Sequence, residues 1–198
     1  MRVASALGLA AALVASAGLA APAGAATITG TAAGESLVGT SSSDVIKALG
    51  GDDTVSARRG ADTVRGGEGN DVIRGRRGAD KLAGDRGDDW VYGGRRADWV
   101  FGGVGADHSF GGRGGDVLRD ARGTDVDVLR GGRGADTIYA NYRDLVRAGS
   151  SDDLILVAAP DAAMTIDCGS GFDQVTFNRA HAGVELIGCE RVRTVSQS

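Results

Sequence analysis

The chain has 198 residues, of which 34 are glycine and only 2 proline, and its 22 Lys and Arg against 26 Asp and Glu give a formal net charge of −4. That composition excludes collagen and a proline-rich disordered tract. The mild acidity excludes an overall basic footprint for nucleic acid, although the positive charge present is almost all arginine, Lys47 and Lys81 being the only lysines.

The first element predicted is a targeting segment. Arg2 gives a short positive start, residues 5–20 are an unbroken run of Ala, Leu, Val, Gly and Ser, and Ala23-Gly24-Ala25 supplies a small-residue cleavage site. The run is short and alanine-heavy for a membrane anchor. Residues 1–25 are therefore expected to be a cleaved signal peptide, and the mature chain is expected to be secreted. No cysteine stands near the cleavage site to suggest a lipoprotein.

Residues 29–156 are predicted to be a repeat domain. Aspartate recurs every nine residues at Asp44, Asp53, Asp62, Asp71, Asp80, Asp89, Asp98, Asp107 and Asp116, and Glu35 extends the register by one step. Two residues after each stands an aliphatic residue: Ile46, Val55, Val64, Ile73, Leu82, Val91, Val100 and Leu118, with Ser109 the exception. Each aliphatic residue belongs to a three-residue strand whose flanking side chains face the other way. The six residues before it are glycine-rich, as a tight loop requires. Two such units make one turn of a flattened coil, so each loop stacks on the loop 18 residues away. Regularity falters after Asp116: the next convincing strand follows Asp127, implying a two-residue insertion between Asp120 and Asp125. Repeats resume at Asp136 and degrade through Asp144 and Asp153.

Residues 157–198 are predicted to be a C-terminal cap, since an open stack needs an atypical terminal unit. Only the stretch Gly169 to Val175 echoes the repeat. Cys168 and Cys189 are the only cysteines, and an even pair in an exported chain favours a disulfide. The loop it closes, about 20 residues, makes it worth on the order of 3 kcal/mol.

The register explains why the recurring residue is acidic. Stacked strands lie about 4.8 Å apart, and calcium–oxygen distances are about 2.3–2.6 Å, so one ion midway between two loops reaches both. Two loops together offer carboxylates and peptide carbonyls enough for the 6–8 oxygens calcium takes, whereas magnesium demands tighter octahedral geometry. The candidate metal ligands are Glu35, Asp44, Asp53, Asp62, Asp71, Asp80, Asp89, Asp98, Asp107, Asp116 and Asp136, with several calcium ions as cofactor. Without a cation, like charges stack at about that spacing and repel by roughly 0.9 kcal/mol per pair in water and about 3.5 at an effective dielectric of 20. The domain is therefore expected to fold on binding calcium.

The fullest unit, Gly66-Gly67-Glu68-Gly69-Asn70-Asp71-Val72-Ile73-Arg74, reads G-G-x-G-x-D-x-U-x with U a large aliphatic residue, and this is a known calcium-binding β-helix repeat. On these residues the chain resembles the hemolysin-type (RTX) calcium-binding nonapeptide repeats. The tail, from Asp167 to Val175 and again at Cys189-Glu190-Arg191-Val192, resembles the C-terminus of small secreted actinobacterial calcium-binding proteins. The resemblance implies an all-β fold, a parallel β-roll or β-helix solenoid closed by a C-terminal cap. It also implies calcium held between alternate loops by the position-six aspartates and by glycine carbonyls, here those of Gly67, Gly69, Gly103, Gly105, Gly112, Gly114, Gly132 and Gly134. Many such repeats accompany large toxins or proteases; a chain with its own signal peptide and no catalytic domain is not expected to share that role.

Sorting the loops by alternate repeats separates two edges. One carries Asp52, Glu68, Asp85 and Asp88 beside its position-six acids, with Arg86 its only arginine; the other carries Arg58, Arg59, Arg76, Arg77, Arg95, Arg96 and Arg113. Guanidinium groups can take a cation's neutralising role beside a carboxylate. Calcium is therefore expected along the first edge, and weakly or not at all along the second; alternatively the arginines point to solvent and both edges bind.

Trp90, Tyr92, Trp99, Phe101 and Phe110 cluster at outward positions, with Trp90, Tyr92 and Phe110 on one face and Trp99 and Phe101 on the other. They are either a ligand platform for a glycan or cell-surface partner, or a face covered by the C-terminal tail, the simpler expectation. Catalysis is not expected: the two histidines, His108 and His181, are far apart and no nucleophile or metallohydrolase motif is present. The sequence thus points to a secreted calcium-binding protein with a structural or binding role. The alternative is a carbohydrate- or cell-envelope-binding module on a calcium-stabilised scaffold.

Overall fold

The computed structural model describes residues 24–119, 125–160, 163–179 and 183–195. The proposed signal peptide up to residue 23, residues 120–124 of the insertion, and His181 lie outside the described residues.

Among the described residues nineteen strands alternate between two parallel sheets. The first holds β1 (Thr27–Thr29), β3 (Val45–Gly50), β5 (Thr63–Glu68), β7 (Lys81–Arg86), β9 (Trp99–Val104), β11 (Val117–Arg119), β13 (Thr137–Tyr142), β15 (Leu154–Pro160), β17 (Gln174–Phe177) and β19 (Arg191–Thr194). The second holds β2 (Ser36–Val38), β4 (Thr54–Ser56), β6 (Val72–Arg77), β8 (Trp90–Arg95), β10 (His108–Arg113), β12 (Val128–Arg133), β14 (Leu145–Ser150), β16 (Thr165–Ser170) and β18 (Glu185–Ile187). Each strand pairs with the strands two before and two after it. This is the all-β parallel β-roll expected, and no helix occurs among the described residues.

The nonapeptide generates this shape directly. Its aliphatic residue points between the sheets, so Ile46, Val64, Leu82, Val100, Leu118, Ile138, Ile155 and Val175 form one buried column and Val55, Ile73, Val91, Leu129, Val146 and Ile166 the facing one. Each such burial is worth about 1.5–3 kcal/mol, spread evenly along the roll. Ser109 interrupts the second column between Val91 and Leu129; it is fully buried and its hydroxyl has no partner.

Two expectations are corrected. Most strands run for six residues rather than three, because the loop residues also pair: Gly67 lies against Asp85 and Glu68 against Arg86, in register with Val64 against Leu82. A parallel ladder fixed at one level fixes the next, so the loops are ordered by the same hydrogen bonding as the strands. The boundary expected at residue 157 is also absent. It falls within β15, and the sheets continue through β19, so the closing segment is made of further turns of the roll. Those turns were hidden because their loops vary in length. The partner offset is 18 residues early on, 20 from His108 to Val128, 17 from Val128 to Leu145 and 20 from Leu145 to Thr165.

Closure is achieved by side-chain size. The first loop position is alanine or glycine for most of the roll, but towards the C-terminus it becomes Val157, Phe177 and Cys168, all buried and joined by Met164. Cys168 bonds Cys189, whose Cα atoms lie 5.3 Å apart, pinning β16 to the segment after β18.

Candidate functional site

Position-six aspartates follow tight loops whose backbone turns through left-handed conformations. Gly67, Gly103, Gly112 and Gly132 at loop position two, and Gly69, Gly105, Gly114 and Gly134 at position four, all have φ between 113° and 147°. The glycine carbonyls proposed as ligands therefore belong to the residues that turn the loop. Where a larger residue stands at the same position the conformation persists, as at Leu49 (φ 83°), Arg76 (78°), Asp85 (82°) and Arg96 (81°). Stacking dictates it: a side chain at Gly69 would collide with the Gly51 carbonyl, and one at Gly134 with the Gly114 carbonyl.

The turned loops bury the aspartates. Asp53, Asp62, Asp71, Asp80, Asp89, Asp98, Asp107, Asp116 and Asp136 expose at most 2% of their surface. Each carboxylate accepts, through Oδ1, the backbone N–H of the aspartate or glutamate one turn earlier, at 2.7–2.9 Å. Two continuous ladders result. One runs from Glu35 through Asp53, Asp71, Asp89, Asp107 and Asp127 to Asp144; the other runs from Asp44 through Asp62, Asp80, Asp98, Asp116, Asp136 and Asp153 to Asp173.

The second oxygen tells more. Oδ2 is buried and without a hydrogen-bond partner in Asp53, Asp62, Asp71, Asp80, Asp89, Asp98, Asp107, Asp116 and Asp136, and also in Asp153 and Asp173. A peptide oxygen lies near each of several of them: a methyl group added at Gly66 would meet both Asp71 Oδ2 and the Gly84 carbonyl, and one at Gly75 both Asp80 Oδ2 and the Gly93 carbonyl. Oxygens that converge without a donor form a cradle for a cation, since an unpaired buried anion is costly. Among the described residues no three His, Cys, Asp or Glu side chains cluster. A cation would therefore be held by single carboxylates joined by peptide oxygens, a donor set of hard oxygens that suits calcium.

Electrostatics agree. Burial pushes the Asp89 carboxyl up to about 8, those of Asp98, Asp107, Asp136 and Asp144 up to about 7, and those of Asp62, Asp71 and Asp153 up to about 6. Neighbouring carboxylates raise them further, and the backbone N–H at Oδ1 partly offsets both effects. Asp53, Asp80, Asp116 and Asp173 are raised for the same first reason, burial.

Several expectations change here. Glu35 and Asp44 head the ladders, but threonines satisfy them: Thr31 donates its N–H to Glu35 Oε2 and its hydroxyl to Oε1, while Thr40 donates its N–H to Asp44 Oδ2 and its hydroxyl to Oδ1. Both of their oxygens thus have donors, unlike those of the inner aspartates. Asp153 and Asp173, not among the expected ligands, have the same free oxygen as the regular repeats, and the aliphatic residue two positions on, Ile155 and Val175, is the signal in the sequence that marks them. Along the second edge no arginine among the described residues pairs with the aspartates, which are as buried and as unpartnered as those of the first. Among the described residues the one arginine–carboxylate ion pair joins exposed Arg65 to Asp85 at 2.8 Å, away from that edge.

The aromatic residues divide between faces as predicted. Trp90, Tyr92 and Phe110 stack outside the second sheet, with centroids 4.8–6.3 Å apart; His108 packs 4.0 Å from Trp90, and Arg74 and Arg130 lie over the Tyr92 and Phe110 rings. Trp99 and Phe101 lie on the other sheet, with Trp99 62% exposed. The closing turns extend the sheets rather than folding back, so the described tail does not cover either group.

The RTX calcium-binding nonapeptide repeat matches four times, at residues 29–64, 58–91, 83–118 and 123–155, together more than half of the chain. No curated protein matches it.

Proposed function

Because the chain belongs to the RTX calcium-binding nonapeptide repeat family, we propose that it is a secreted scaffold whose β-roll folds as calcium is taken up along both aspartate ladders. The observation that carries this reading is the row of buried, partnerless Oδ2 atoms on both edges. Bound calcium supplies the positive charge that lets these carboxylates stay ionised inside the fold. The residues proposed to hold it are Asp53, Asp62, Asp71, Asp80, Asp89, Asp98, Asp107, Asp116 and Asp136, extended to Asp153 and Asp173, with peptide oxygens of the glycine turns. The N-terminal run read as a signal peptide, together with the Cys168–Cys189 disulfide, supports export to an oxidising compartment.

Circular dichroism in EGTA and then in millimolar calcium tests this, with calorimetry counting the ions. The expected result is a strand signal that grows with calcium and saturates, with Asp71→Asn and Asp80→Asn, on opposite edges, each lowering the ion count. A strand signal indifferent to calcium overturns the reading, and loss of ions from one variant alone overturns binding on both edges.

The uncovered aromatic column favours a second reading, that the scaffold presents a carbohydrate- or cell-envelope-binding face. A glycan array with Trp90→Ala and Trp99→Ala variants tests it; binding unchanged by both substitutions removes it.

A further inference from the structure

We propose that the arginine-bearing edge of the roll is a groove for a linear acidic polysaccharide carrying one anionic group per sugar. Arg59, Arg77, Arg95, Arg113 and Arg133 occupy the same loop position on successive turns and stand in one continuous register. All five are exposed. The column is held by backbone hydrogen bonds, Gly60, Gly78, Arg96 and Gly114 each donating an N–H to the carbonyl of the arginine one turn on. Its pitch is therefore the strand spacing of about 4.8 Å. Arg58 and Arg76 form a second, shorter row beside it, and the groove between them runs on to Gly112 and Gly132.

No carboxylate among the described residues pairs with these guanidiniums; the position-six aspartates of the same loops are buried beneath them. Like charges stacked at that pitch repel, and an anionic ligand would relieve the repulsion. The shoulder of the groove is flat, because loop position five is Ala61, Ala79, Ala97, Gly115 and Ala135 on this edge. On the opposite edge that position holds Gly34, Asp52, Asn70, Asp88 and Ala106. The basic edge is thus local, although the chain as a whole is acidic.

The choice of ligand follows from pitch and lining. Guanidinium forks match carboxylate or sulfate groups in bidentate fashion. In an extended 1,4-linked uronate chain the carboxylates point alternately to its two sides, so those on one side recur at about twice the strand spacing and can meet every second arginine of the row. Duplex DNA presents its phosphates at about 3.4 Å per strand along a helical path, out of step with a straight row. Single-stranded nucleic acid is held by aromatic stacking, and no aromatic residue lines this groove. The aromatic face invoked above lies on a sheet and not on this edge, so this inference is independent of that reading.

The test uses the full chain in saturating calcium and a fluorescently labelled galacturonate hexamer, followed by anisotropy, with the neutral galactose hexamer and a short DNA duplex as comparators. Wild-type protein is expected to bind the acidic hexamer and not the neutral one. Replacing Arg77, Arg95 and Arg113 together by Ala is expected to weaken binding about a hundredfold or more, while Arg65→Ala and Arg86→Ala leave it unchanged. Circular dichroism separates loss of the groove from loss of the fold. On wild-type protein, the hexamer is also expected to protect Arg77, Arg95 and Arg113, and not Arg65, from phenylglyoxal. Equal binding of the folded triple variant, or equal modification with and without the hexamer, overturns the proposal. Tighter binding of the DNA duplex at the same salt overturns the assignment to a glycan.

Discussion

Acidification in the absence of calcium should stabilise this fold, the reverse of ordinary acid denaturation. Eight carboxyls are pushed by burial to values of about 6 to 8 in the fold: those of Asp62, Asp71, Asp89, Asp98, Asp107, Asp136, Asp144 and Asp153. In the unfolded chain each returns to the ordinary carboxylate range near 3.9. Between these limits the folded chain binds more protons than the unfolded one, so stability falls as pH rises. The contribution is fully present below about pH 4 and is lost as pH climbs through the folded values. Each fully linked proton is worth about 1.4 kcal/mol per pH unit; even two protons' worth gives about 3 kcal/mol per unit, or roughly 8 kcal/mol between about pH 4.5 and pH 7.5. That is comparable with the whole stability of a small domain. The assay is urea unfolding in EGTA, followed by far-ultraviolet circular dichroism across that range. A midpoint that rises on acidification, or strand signal that emerges in a chain unfolded at neutral pH, is the expected outcome. In calcium titrations the apparent affinity should weaken as pH falls, because protons compete for the same oxygens. A calcium-free strand signal that falls on acidification would refute the reasoning.

Three further outcomes are expected. Ser109→Val, which replaces a buried hydroxyl without a partner and completes the column between Val91 and Leu129, should raise stability by about 1–3 kcal/mol, measured as a higher urea midpoint at unchanged slope. Arg96→Gly should stabilise the calcium-loaded protein by about 1 kcal/mol, since Arg96 holds φ at 81° in a conformation that disfavours side chains; an unchanged or lower melting temperature contradicts this. Replacing Cys168 and Cys189 by Ser should lower stability by about 3 kcal/mol, with faster amide exchange in β16 and β18 than in β6 and β8; uniform exchange would contradict the local role given to that bond.

The ladder was legible in the sequence because its cause is local. Asp71, Gly66 and Ile73 have fixed places within one nonapeptide, and each performs the same task in every turn. The arginine and aromatic rows were legible for the same reason: a period of 18 sorts residues onto edges and faces before any contact is known. Where loops change length, as between Asp116 and Asp144, period stops carrying information and hydrogen-bond register takes over. That is why residues 157–198 read as a cap, although β16 to β19 continue the two sheets.

What the sequence by itself determined is the repeat, its two-sheet alternation and the placement of one carboxylate per loop, because these follow from side-chain alternation and from glycine's tolerance of tight turns. Only the tertiary structure decided which carboxylates lack a partner. Glu35 and Asp44 carry the same motif as Asp53 and Asp62, yet Thr31 and Thr40 turn their hydroxyls and N–H groups onto the terminal pair. In most inner turns Oδ2 is left buried and free, Asp144, whose Oδ2 accepts the Asn141 N–H, being an exception. Whether an aspartate oxygen is left free for a cation is thus decided by the donors its neighbours can spare, a property of packing that spacing does not contain.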